Sequence, residues 1–93
     1  ISEFKKSNLK VEDLKRKTGV YERIISRYEN MSDIETQLIS IGSSSLEKYI
    51  MLINDKYSAI IMLEKLRTDL AVEYSYLNYL LSTNKGRYHE NNN

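Results

Sequence analysis

The 93-residue chain has no cysteine, no proline and no tryptophan, and it holds one histidine, one phenylalanine and three glycines. The missing cysteine excludes a disulfide framework, a thiolate metal site and a cysteine nucleophile. It also suits a reducing, cytoplasmic setting. No run of about 18 apolar residues occurs, so no membrane partner is expected. Proline breaks helix interiors, and glycine costs about 1 kcal/mol there. A chain this poor in both is free to be helical almost throughout. Strand signals are weak, because no sustained polar/apolar alternation is bounded by turn residues. The expected fold class is all-α.

What is present is charge and helical periodicity. Charged residues make up 29 % and apolar ones 41 %, the balance of an ordered soluble chain. The net charge of +1 hides an asymmetry. Residues 1–27 carry eight bases (Lys5, Lys6, Lys10, Lys15, Arg16, Lys17, Arg23, Arg27) against Glu3, Glu12, Asp13 and Glu22, while the remainder is net acidic. A basic end on a mildly acidic body fits an element that meets phosphate joined to one that meets protein. Lysines that solvate a helix face would give the same count.

Three points punctuate the chain: Thr18-Gly19, Gly42-Ser43-Ser44-Ser45, and a polar tail over 83–93. Ser32 and Glu35 have capping-box spacing and are expected to open a short helix. Ser44 and Glu47 have the same spacing and open a long helix candidate from Leu46 to Leu81. Asn54-Asp55-Lys56 is the expected place for that helix to bend or break into a hairpin. A heptad runs through Tyr21, Tyr28, Glu35, Gly42, Tyr49, Lys56, Leu63, Leu70 and Leu77, with Ile24, Met31, Leu38, Ser45, Leu52, Ala59, Leu66, Glu73 and Leu80 as its second core position. The next position along is also apolar at Ile25, Ile39, Leu46, Ile53, Ile60 and Leu81. That widens the stripe beyond a two-stranded seam, toward bundle packing. Leu63, Leu66, Leu70, Tyr74, Leu77 and Leu81 are the residues expected to carry a homodimer or higher helical oligomer.

The stretch from Leu9, LKVEDLKRKTGVYERIISRYEN, resembles the helix-turn-helix of the lambda-repressor-like family of phage repressors and small bacterial regulators. Leu14 stands where the first helix turns inward, Gly19 where the turn needs positive φ, Val20 where a small apolar residue plugs the angle, and Ile25 and Tyr28 where the second helix faces the core. The resemblance covers residues 1–30. It implies a region 1–42 that reads the major groove of double-stranded DNA and a region 43–82 that oligomerises. It further implies that Tyr21, Glu22, Arg23, Ser26 and Arg27 meet the duplex, with Lys10, Lys15 and Lys17 nearer the backbone. The rival expectation is a helical bundle or coiled coil for protein–protein assembly, with no nucleic acid.

Nothing points to an enzyme or a small-molecule substrate. His89 is the only histidine and lies in the polar tail. No glycine-rich phosphate loop occurs. Asp55, Glu64, Asp69 and Glu73 fall at spacings that suit a helix surface. No cofactor or metal is expected.

Overall fold

A computed structural model describes residues 2–92, with side chains described for residues 2–83. It is a hairpin of two long helices, α1 (Glu3–Ser40) and α2 (Leu46–Asn92), joined by a short turn. The hairpin is a rod of 78 × 16 × 16 Å with a radius of gyration of 21.5 Å. A compact chain of this length would have a radius of gyration of about 12 Å. His89 and the other side chains beyond Thr83 lie outside the described residues.

The two helices meet along one heptad seam, in which side chains alternate at steps of four and three. On α1 the seam runs Ser7, Val11, Leu14, Thr18, Tyr21, Ile25, Tyr28, Ser32, Glu35 and Ile39; all are buried or half-buried. On α2 it runs Tyr49, Leu52, Lys56, Ala59, Leu63, Leu66, Leu70, Glu73, Leu77 and Leu80, again all buried or half-buried. The α2 register is the expected one. On α1 the expected Ile24 and Leu38 are half-buried alongside Ile25 and Ile39, while Ser32 is buried in the place expected for Met31, which is exposed. The turn breaks the phase between the helices, so one heptad frame cannot serve both.

The turn follows from its residues. Gly42 has φ +76°, the left-handed conformation that L side chains avoid. Its N–H donates to the Ile39 carbonyl at 3.0 Å, and the Ser43 N–H donates to the Leu38 carbonyl at 2.8 Å. That pair is a Schellman stop. Ser45 then caps α2, its Oγ accepting from the Lys48 N–H at 3.3 Å. The cap is therefore one residue beyond the expected Ser44, whose hydroxyl is used elsewhere.

Three expected breaks are not there. α2 passes through Asn54-Asp55-Lys56 uninterrupted. α1 passes through Ser32-Asp33-Ile34-Glu35 without restarting. Ser32 does not cap a helix but donates to the Tyr28 carbonyl at 2.8 Å, and Glu35 turns into the seam. α1 also passes through Thr18-Gly19, so the bend of a helix-turn-helix is absent. Thr18 donates to the Leu14 carbonyl at 2.8 Å, as a mid-helix threonine does. A lone glycine costs about 1 kcal/mol in a helix, and the packed seam on both sides of it outweighs that.

This difference is testable by substitution. A Cβ at Gly19 would have only the Arg23 Nη1, at 3.9 Å, nearby. Gly19→Ala is expected to raise unfolding stability by about 0.5–1 kcal/mol in urea denaturation. Gly42→Ala is expected to lower it by about 1–2 kcal/mol, because alanine must enter the left-handed region. A destabilised Gly19→Ala would mean that residue 19 has positive φ after all.

Candidate functional site: an unpartnered second seam on α2

Two buried carboxylates fix how the helices register. Near the open end, Glu73 accepts from the Ser7 hydroxyl at 2.8 Å and pairs with Lys10 at 3.5 Å. Near the turn, Glu35 accepts from the Ser44 hydroxyl and pairs with Lys48 at 3.2 Å. Each carboxylate thus has one oxygen on a serine and one on a lysine. Buried polar groups that are fully partnered specify register, because any slip leaves a charge unpaired. Lys56–Glu29 at 3.8 Å and Arg67–Glu22 at 3.7 Å cross between the helices at the surface.

The Glu35 pin is pH-dependent. The Ser44 hydrogen bond, reinforced by Lys48, holds the Glu35 carboxyl below the ordinary glutamate range against the opposing effect of its burial. A depressed carboxylate stabilises the fold above its unfolded-state pKa of about 4.3, and the contribution fades as pH falls through the lower folded value. The turn amides of Gly42 and Ser43 are therefore expected to exchange faster as pH drops below about 4, after correction for intrinsic exchange. Glu35→Gln should remove that pH step. A step that survives the substitution would assign it to another group.

The residues expected to meet DNA fall on an unbent helix. Glu22, Arg23, Ser26 and Arg27 are exposed along α1, and with Gly19 they line one shallow surface concavity. Tyr21 is not with them, because it faces the seam. Lys10 is engaged with Glu73 and Lys17 with Asp13 at 2.9 Å. Lys15 lies 5.6 Å over the Tyr74 ring, and its interaction with the Tyr74 phenol raises the ammonium pKa.

The residues expected to oligomerise are divided. Leu63 and Leu66 are buried against the chain's own α1, and Leu70 and Leu77 are half-buried in the same intramolecular seam. Tyr74 and Leu81 are exposed and lie on a different stripe.

That stripe is the main feature of the surface. It repeats the four-and-three steps beside the first seam: Leu46, Ile50, Ile53, Tyr57 and Ile60, then Glu64, Arg67 and Ala71, then Tyr74, Asn78 and Leu81. Leu46 is 64 % exposed, Ile50 50 %, Tyr57 59 % and Leu81 42 %; Ile53 and Ile60 are half-buried. The contacts of Arg67 and Tyr74 with Glu22 and Lys15 place the stripe along one flank of the hairpin. Sequence reading found half of it, as the extra apolar position at Leu46, Ile53, Ile60 and Leu81. Ile50 and Tyr57 are also apolar positions of that helix by sequence, but they form a matching row with these only once the first seam is filled from within the chain.

Other candidates are weaker. Among the described residues no group of His, Cys, Asp or Glu could hold a metal ion. Among the described residues no helix is long and apolar enough to cross a membrane. The outer face of α2 also exposes Met51, Ile61 and Met62, and a short row of Val72, Tyr76 and Tyr79 in which the two tyrosine rings stack at 6.4 Å. No family model, curated protein or solved structure matches the chain.

Proposed function

We propose that this chain is a helical assembly module, with no catalytic role, whose second seam on α2 packs against helices of another copy. The carrying observation is a heptad stripe with apolar residues at both ends, of which Leu46, Ile50, Tyr57 and Leu81 are exposed while Arg67 and Tyr74 touch α1 at its flank. A helix apolar on more than one side needs more than one neighbour. The accessible surface is 7156 Å², whereas a compact monomer of 10.9 kDa would expose about 5,600 Å². The excess of about 1,600 Å² on one chain is about twice the roughly 800 Å² that each partner buries in an ordinary stable interface.

If assembly is coupled to folding, the urea midpoint rises with protein concentration. A midpoint unchanged over a hundredfold range would oppose the reading. Duplex DNA is the alternative partner, supported by the exposure of Arg23 and Arg27 one helical turn apart on α1. A salt-dependent gel shift that is lost in Arg23→Ala and Arg27→Ala would favour it over assembly.

A further inference from the structure

We infer that two copies pair antiparallel through the second seam of α2, about a two-fold axis between residues 65 and 66, with Glu64 of each chain facing Arg67 of the other. This rests on the assembly reading and adds the occupant, the orientation and the register.

From Ile50 to Leu81 the stripe is self-complementary when reversed. Antiparallel heptad seams pack one core position against the other, so paired residue numbers have a constant sum. With Glu64 opposite Arg67, Ile60 meets Ala71, a large residue against a small one. Tyr57 meets Tyr74, and Ile50 meets Leu81. Ile53 meets Asn78 toward each end of the seam. Both charged positions are satisfied twice by the symmetry, as an isologous interface requires.

The alternatives lose the charge pair between the copies. Sliding by one heptad puts Glu64 against Ile60 in one direction and against Tyr74 in the other. A parallel pair stacks Glu64 on Glu64 and Arg67 on Arg67. The slipped pairs set each charge against an uncharged side chain of the other copy, and the parallel pair sets like charges together, whereas the antiparallel register pairs opposite charges across the interface. Within one chain, Glu64 and Arg67 are already neighbours at 3.2 Å, with Glu22 3.7 Å from Arg67. The interface would extend that network across the axis.

The charge along the rod agrees with the orientation. The turn-side half, residues 20–65, carries seven acids and five bases. The open-side half, residues 2–19 and 66–83, carries seven bases and five acids. An antiparallel pair sets each basic half beside an acidic one, whereas a parallel pair sets like beside like.

Two single variants and their mixture test this. Glu64→Arg alone puts arginine opposite arginine at both symmetry-related sites. Arg67→Glu alone puts glutamate opposite glutamate. Each is expected to weaken self-association on the order of tenfold. Mixed in equal amounts, the two variants regain complementary pairs and form mixed dimers preferentially. The pair within one chain cannot produce that rescue. Sedimentation of each variant and of the mixture reads the outcome, with far-ultraviolet circular dichroism confirming that the helices persist. If the parent dimerises but the mixture associates no better than its components, the register is wrong and the assembly reading stands. If the parent stays monomeric at every concentration, both fail.

Discussion

Leu63→Ala is expected to lower the stability of the hairpin by about 2–3 kcal/mol, measured by urea denaturation of a dilute sample. Leu63 is 6 % exposed and stands mid-seam between Ala59 and Leu66, which are 6 % and 7 % exposed. Removing its side chain next to Ala59 leaves two small residues in succession on the buried row. The loss combines lost transfer energy with a gap that two stiff helices close only in part. A hairpin with one seam has no further core layer to share the damage. Ile61, two positions away, is 70 % exposed, and Ile61→Ala is expected to cost less than about 0.5 kcal/mol. Equal effects at the two positions would mean that α2 faces α1 in another register.

The larger effect on assembly is expected from Tyr57→Asp. Tyr57 is 59 % exposed in the single hairpin, so the substitution leaves the fold of one chain nearly unchanged. In the antiparallel pair the residue occurs twice, each time against Tyr74 of the other copy. The substitution removes two aromatic contacts and desolvates two unpaired carboxylates. Those losses together come to about 3 kcal/mol or more, which is a hundredfold or greater loss of association. Ile50→Asp, opposite Leu81, is expected to act in the same direction. Unchanged association of both variants, read by sedimentation velocity, would remove the second seam from the interface.

Much of this architecture was legible in the residues. The helical class follows from the missing proline and the heptad spacing. The turn follows from Gly42 and the serines after it, and the α2 seam register from Leu52, Leu63, Leu66 and Leu70. The departures from these local signals share one cause, a tertiary contact that overrides them. Gly19 carries a real local cost, but the seam residues around it, Leu14, Tyr21 and Ile25, hold the helix together. Ser32 and Glu35 have capping spacing, yet both are seam positions, and Glu35 finds its partners Ser44 and Lys48 across the turn. Lys15 holds its ammonium over the Tyr74 ring at the rim of the seam.

The candidate site was less legible for a geometric reason. Two heptad stripes run side by side on α2, and a sequence shows both as one broad apolar face. Leu63, Leu66, Leu70 and Leu77 were expected to bind another chain because they are the most regular row. The structure gives that row to α1, and only Tyr74 and Leu81 of the expected set remain on the open stripe. Deciding which stripe is filled from within requires knowing that the turn brings α1 back along α2.

Sedimentation equilibrium of the unaltered chain over a wide concentration range tests the central claim most directly. Assembly through the second seam predicts a mass that rises from 10.9 kDa toward twice that value or a higher even multiple. A mass that stays at 10.9 kDa at the highest concentration reached would contradict it.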